Sequence, residues 1–325
     1  MSEIPEELIN LGLLIGNTPT LRIRAEVNGT ICEILAKYES WNFSGSIKDR
    51  MALCILRAAY ELDLLKPGDT IVEATSGNTG IAFAAMGAFL GHPVQIYMPS
   101  WLSIERKRLL RFHGAELIEI TAEQGGFQEC IRLAAKKSQK NSYFGPKQFE
   151  NSWNVMAHYK NTAPELHEAI LKDNLSKLDV FVAGVGTGGT IMGFYHYFSE
   201  KNPNFEAYPI LPSKNEDGEH RIEGIGDSFI PRILDLDSLD PIVRIKDNEA
   251  INIARQLNKK GLSVGISSGA NVLGALVKSC ESGGKKVVAT VLSDNNRKYL
   301  TTDLCSDSEE PMANEIKILN YKRIS

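Results

Sequence analysis

From residue 70 onward the chain alternates short apolar runs with helix-like segments, and the joints between them are rich in Gly, Ser and Thr. Residues 70–74 read as a buried strand, 78–90 as a helix of small residues, 93–98 as a strand, 103–112 as an amphipathic helix stopped by Gly114, and 116–121 as a strand. A second series has a strand at 180–183, a helix after Gly188, a strand at 206–211, a helix at 248–258 and a late strand at 287–292. Such alternation implies parallel sheets covered by helices on both faces, an α/β fold. A length of 325 residues exceeds one ordinary domain, so two lobes are expected, with the polar stretch 148–177 as the passage between them. The loop at 211–226, rich in charge, Pro and Gly, is long enough to be part of a site. The acidic tail after Cys305 reads as peripheral.

Composition narrows the function classes. A net charge of −4 argues against nucleic acid as a partner, since phosphate binding needs a surplus of Lys and Arg. The apolar run at 81–90 is too short to span a bilayer, and the first residues lack a basic region followed by an apolar stretch. A soluble, cytoplasmic protein acting on a small molecule is expected. Cys32, Cys54, Cys130, Cys280 and Cys305 form no C-x-x-C pair, which suggests reduced thiols and neither a disulfide framework nor a zinc site. The six histidines show no metal-ligand spacing and read as surface or packing residues, and no G-x-S-x-G elbow is present.

Four segments carry chemistry. Ser44-Gly45-Ser46-Ile47-Lys48-Asp49-Arg50 precedes apolar positions Met51, Ala52, Ile55, Leu56 and Ala59 at helical spacing, so Lys48 falls in a helix's first turn. Ser46 and Asp49 have capping-box spacing. The positive end of the helix dipole lowers the pKa of a lysine placed there, and a neutral amine can form an imine; the bland alternative is a solvated surface lysine. Ser44 and Lys48 also admit a Ser-Lys hydrolase, although Ser44 lies before the helix. Thr75-Ser76-Gly77-Asn78-Thr79-Gly80 joins a strand to a helix and suits an anion such as a substrate carboxylate, the alternative being an ordinary capped turn. Gly184-Val185-Gly186-Thr187-Gly188-Gly189-Thr190 is a phosphate cradle that also satisfies G-x-G-x-x-G, so a Rossmann NAD-dependent oxidoreductase must be weighed; the next strand ends in Pro212-Ser213-Lys214, without the acidic residue that would hold a ribose. Gly265-Ile266-Ser267-Ser268-Gly269-Ala270-Asn271 enters another helix and alone indicates only a capped start.

Together these segments resemble the cysteine synthase (O-acetylserine sulfhydrylase) family of fold-type II pyridoxal-phosphate enzymes, whose relatives include cystathionine β-synthase. The resemblance runs from Ile15-Gly16-Asn17-Thr18-Pro19 through Met98-Pro99, Ser103-Ile104-Glu105-Arg106, Gln148-Phe149 and Gly224-Ile225-Gly226 to Arg297-Lys298-Tyr299-Leu300. It implies a tryptophan synthase β-like, two-lobed three-layer sandwich with parallel-rich sheets. A smaller mobile lobe would span 36–147, and a larger cofactor-binding lobe 1–35 and 148–325. Pyridoxal 5'-phosphate is the implied cofactor, with Lys48 as Schiff-base lysine and base for the α-proton. Gly186, Thr187, Gly188, Gly189 and Thr190 would hold its phosphate, Asn78 its ring oxygen and Ser267 its pyridine nitrogen. A serine there should leave that nitrogen unprotonated and favour elimination over transamination. Thr75, Ser76, Thr79, Gln148 and Gly224 would bind the substrate, the first four through its carboxylate. The implied partners are a small amino acid with sulfide or a thiol, a second copy of the chain, and a serine acetyltransferase.

The chain also departs from the family. It has Gly224-Ile225-Gly226-Asp227-Ser228-Phe229 where many members have Gly-Ile-Gly-Ala-Gly-Phe, a shorter preceding loop, and Phe43 where proline is usual. Asp227 adds a carboxylate to the substrate side. It is expected to act on the incoming nucleophile, water or a thiol, and opens a sulfide-releasing reaction on cysteine or a cystathionine β-synthase-like one; the alternative is a solvent-facing aspartate.

Overall fold

A computed structural model describes residues 4–213, 220–226, 229–306 and 315–325. In chain order its elements are α1 (Glu6–Gly12), β1 (Thr20–Val27), β2 (Thr30–Tyr38), α2 (Lys48–Glu61), β3 (Thr70–Ala74), α3 (Asn78–Leu90), β4 (Val94–Pro99), α4 (Ile104–Phe112), β5 (Glu116–Ile120), α5 (Gly126–Lys137), β6 (Tyr143–Phe144) and α6 (Trp153–Ala157). A π-helical turn (His158–Thr162) leads to α7 (Ala163–Lys172), β7 (Val180–Gly184), α8 (Gly189–Ser199), β8 (Glu206–Pro212), β9 (Val243–Ile245), α9 (Asp247–Lys259), α10 (Ile266–Glu281), β10 (Val288–Leu292) and β11 (Ile316–Arg323).

The strands form two sheets. The smaller has the order β5-β4-β3-β6 and is parallel throughout. Ile71 and Ile96 pack on one of its faces against Met51, Leu56 and Phe83 from α2 and α3, while Val72 and Tyr97 meet Cys130 and Ala134 of α5 on the other. The larger has the order β11-β1-β2-β10-β7-β8-β9. Ile34 and Val182 face Ile253, Leu273 and Leu276 from α9 and α10. Phe181 and Val291 face Leu166, Ile191 and Phe194 from α7 and α8. Each sheet thus lies between two helical layers, the three-layer arrangement expected, because strands apolar on both faces need cover on both. Helices α9 and α10 approach closely at Gly269, where an added Cβ would lie 2.0 Å from the Ala250 carbonyl oxygen.

Three features correct the sequence reading. One edge of the larger sheet is antiparallel, β1 pairing with β2 and with β11. Consequently the chain end is not peripheral: Ile316 and Ile318 are buried, and β11 closes the sheet from almost 300 residues away. Cys32 and Cys280 form a disulfide, contrary to the expected reduced thiols; β2 and α10 bring their Cα atoms to 5.8 Å across a separation of 248 residues, which spacing rules do not register. The acidic tail residues at 307–310 lie outside the described residues. Among the described residues no helix is long and apolar enough to cross a membrane.

Because Ile318 is 1% exposed in the core of the larger sheet, Ile318→Ala should lower unfolding stability by about 2–4 kcal/mol in urea titrations, whereas a peripheral tail would give almost none.

Candidate active site

The parallel strands β3, β7 and β10 end at one crevice, where ligands bind in open α/β sheets. Its walls take residues from all four chemistry-bearing segments and enclose about 720 Å³, open mouth included.

Lys48 reaches the crevice through backbone pairing. Ser46 forms an antiparallel bridge with Asp294, and Ile47 N–H donates to Ser293 O at 2.9 Å, so α2 begins beside the end of β10. The expected capping box is present in altered form. Buried Asp49 accepts from Ser44 N at 2.7 Å, Ser44 Oγ at 2.5 Å and Ser46 N at 3.5 Å, but Ser46 Oγ accepts from Lys48 N at 3.3 Å rather than from Asp49 N. Burial pushes the Asp49 carboxyl up to about 6, against the pull of the Ser44 hydrogen bonds and the Lys298 cation. Met51, Ala52, Ile55, Leu56 and Ala59 are buried, so packing holds this helix start in place.

After β3, the Thr75 hydroxyl accepts from Gly77 N at 3.0 Å and Gly80 N at 3.4 Å, leaving its own hydrogen to donate. Thr79 donates to Gln148 Oε1 at 2.6 Å, and Gln148 Nε2 donates to Ala74 O at 2.7 Å. With Ser76 these side chains line the crevice as a set rich in donors, suited to a carboxylate. Beneath them lies Glu73, which sequence reasoning missed. It is buried and accepts from Ala74 N at 2.8 Å and Gln148 N at 3.1 Å. Burial nevertheless pushes its carboxyl up to about 7.

The cradle after β7 turns at Gly188, whose φ of +86° is one that glycine tolerates best. Thr187 Oγ1 accepts from Asn154 Nδ2 at 2.9 Å and from Gly189 N at 3.3 Å, so its hydroxyl hydrogen is left for a ligand. Thr190 Oγ1 lies 3.3 Å from Nε2 of His158, which is held at Nδ1 by Thr162 at 3.0 Å. Burial, with Lys48 and Arg50 nearby, lowers the pKa of His158 far below its usual value. This histidine was read as a packing or surface residue; the π-helical turn that aims it at Thr190 has no clear sequence signal. At the start of α10, Asn271 accepts from Gly184 N at 2.7 Å and Ser268 from Ser293 N at 2.9 Å. These bonds join α10 to the ends of β7 and β10 and put Ser267 on the crevice wall, its hydroxyl without a hydrogen-bond partner among the described residues.

Lys48, Thr75, Ser76, Asn78, Thr79, Gln148, Gly186, Thr187, Thr190, Gly224 and Ser267 all line the crevice. Gly188 and Gly189 shape the turn behind that wall, and Asp227 lies outside the described residues. Arg106 and Glu223 also line it and form an ion pair, with Arg106 only 2% exposed. Thr187 and Thr190 at the N-terminus of α8, an amine at Lys48 and a hydroxyl at Ser267 fit the phosphate, aldehyde and ring nitrogen of pyridoxal phosphate.

Glu73 gives a pH test. Its folded pKa of about 7 exceeds the ordinary 4.5, so the folded state holds the proton more tightly, and stability falls as pH rises from 4.5 through about 7. The loss should approach about 3 kcal/mol and be absent in Glu73→Gln, read from urea midpoints against pH; an unchanged pH slope would contradict it.

The family profile of pyridoxal-phosphate dependent enzymes matches residues 11–294. A cysteine synthase from Staphylococcus aureus (strain N315) is 38% identical over 304 residues, covering 91% of this chain and 97% of its own. Cysteine synthase B from Campylobacter jejuni is 41% identical over 300 residues, covering 90% and 96%. Among solved structures, a hydrogen sulfide-producing enzyme from Fusobacterium nucleatum is 44% identical with a TM-score of 0.92, covering 98% of this chain and 99% of that one. Cysteine synthase from Entamoeba histolytica is 34% identical with a TM-score of 0.81, covering 95% and 93%. With a profile match over residues 11–294 and relatives 38–41% identical over most of its length, the chain belongs to the family of pyridoxal-phosphate dependent enzymes that includes the cysteine synthases.

Proposed function

We propose that this enzyme replaces the β-substituent of a small amino acid, and that it makes cysteine and acetate from O-acetylserine and sulfide. The observation that carries this reading is the convergence of Lys48, the donors of the 75–79 loop with Gln148, and the 186–190 cradle on one crevice. Thr75, Ser76, Thr79 and Gln148 bind the substrate carboxylate and orient the Cα–H bond toward Lys48. Lys48 Nζ removes that proton and returns it after the nucleophile has added. Pyridoxal phosphate would be held at Lys48 until the substrate's own amine takes that place, which leaves Lys48 Nζ free as the base, and would supply the electron sink for the pair left at the α-carbon. Thr187, Thr190 and Gly186 to Gly189 would hold its phosphate, Asn78 would donate to its ring oxygen, and Ser267 would meet its ring nitrogen. Gly224 bounds the substrate side. Engagement of the carboxylate draws residues 36–147, the smaller lobe, onto the larger one of 1–35 and 148–325 and excludes water. The same reading carries a cytoplasmic homodimer, with a serine acetyltransferase as partner.

A second reading, release of sulfide from cysteine, is favoured by Asp227 in the Gly-Ile-Gly-Asp-Ser-Phe segment and by likeness to the hydrogen sulfide-producing enzyme. There Asp227 activates water as the incoming nucleophile. Steady-state kinetics on the holoenzyme separates the two. The first predicts a higher kcat/KM for O-acetylserine with sulfide than for sulfide release from cysteine; the reverse order would establish the second, and activity in neither assay would refute both. Lys48→Ala should lower kcat by about 10³-fold or more in whichever reaction is found. Asp227→Asn should reduce sulfide release while sparing cysteine formation; equal rates in both assays would remove Asp227 from the mechanism.

A further inference from the structure

Asn78 enters the crevice from the first turn of α3 with its amide already engaged on both sides. Its Oδ1 accepts from Lys298 Nζ at 2.7 Å, and its Nδ2 donates to Asp294 Oδ2 at 2.8 Å. Lys298 is 2% exposed and Asp294 fully buried, so both charges meet the amide from the protein side rather than from solvent. An ammonium can only donate and a carboxylate can only accept. Turning the amide over would set N–H₂ against ammonium and C=O against carboxylate, so two buried charges fix which way it faces. The second hydrogen on Nδ2 is then available to the crevice, and Asn78 meets a ligand there as a donor.

Both charges are themselves anchored. Lys298 Nζ also donates to Gly45 O at 3.3 Å, and Tyr299 donates to Asp294 Oδ2 at 2.9 Å. The Arg106 guanidinium lies 4.7 Å from the Tyr299 ring centre, and Asp49 faces Lys298 from the start of α2. A cation bonded to the amide oxygen also polarises the amide and strengthens its N–H as a donor.

We infer that Lys298, together with Asp294, is a positioning residue that locks the Asn78 amide with its N–H toward the crevice and thereby favours a negatively charged oxygen on the bound ring. This rests on the pyridoxal-phosphate reading of the crevice. Lys298 does not line the crevice and acts through Asn78.

The test is the absorption spectrum of the purified holoenzyme. The ratio of its long- to short-wavelength cofactor bands reports the charge on the ring oxygen, and thermal melts in parallel report folding. Lys298→Met should lower that ratio about tenfold, the worth of one ordinary hydrogen bond. Lys298→Gln, whose amide can donate or accept and so enforces no orientation, should lower it in the same direction and serves if the methionine variant fails to fold. Lys298→Arg should restore the ratio, because a donor-only cation returns. Folded, cofactor-bound Met or Gln variants with the wild-type ratio would overturn the inference. A wild-type protein with no visible cofactor band would instead overturn the reading of the crevice on which it rests.

Discussion

The antiparallel bridge between Ser46 and Asp294 is the contact on which the site depends. Lys48 begins a helix that packs on the smaller sheet, whereas the cradle and Ser267 stand at the end of the larger one. The bridge and the Ile47-to-Ser293 hydrogen bond bring the lysine to the end of β10. The Asp294 carboxylate also accepts from Asn78 and Tyr299, so one buried residue pairs through its backbone with the segment before Lys48 and through its side chain with the first turn of α3 and the chain after β10.

A second set of buried charges supports the other side of α2. Arg50, two residues beyond Lys48, donates to Glu39 Oε1 at 2.9 Å and pairs with Glu165 at 2.7 Å, while Lys37 meets the same Glu165 at 2.7 Å. Thr18 and Asn42 donate to the Glu39 carboxylate at 2.7 and 2.8 Å, and Asn42 in turn accepts from Gly16 N at 2.9 Å. Burial opposes ionisation of Glu39, but Arg50 and Lys37 outweigh it and hold the carboxyl below its ordinary pKa. Removing one partner from such a buried pair costs about 3–5 kcal/mol, because a charge is left uncompensated. The network ties the 16–18 turn, the end of β2, α2 and α7 together, and so fixes the direction in which Lys48 leaves its helix.

How much was legible in the sequence followed the range of the determining contacts. β3 and α3 were read with their observed boundaries, because a buried parallel strand is an unbroken apolar run and the Gly-rich joints mark its ends. The loops at 75–79 and 184–190 and the helix start at Ser267 were legible for the same local reason. β1 alternates buried and more exposed positions over most of its length, a local signal for a strand, whereas β11 has no place without its partner near the other end of the chain. The Cys32–Cys280 disulfide, Arg106, Glu73 and His158 depend on contacts between distant segments, which residue type and spacing do not encode. Asp227 stands out only against the family pattern.

The Ser46–Asp294 bridge places one lysine, Lys48, among the Gly- and Thr-rich loops of the crevice, where it would hold the cofactor. Borohydride reduction of the holoenzyme followed by peptide mass mapping tests it most directly. A single pyridoxyl group on Lys48 is expected; its attachment to another lysine, or its absence from a cofactor-loaded protein, would contradict that role for Lys48.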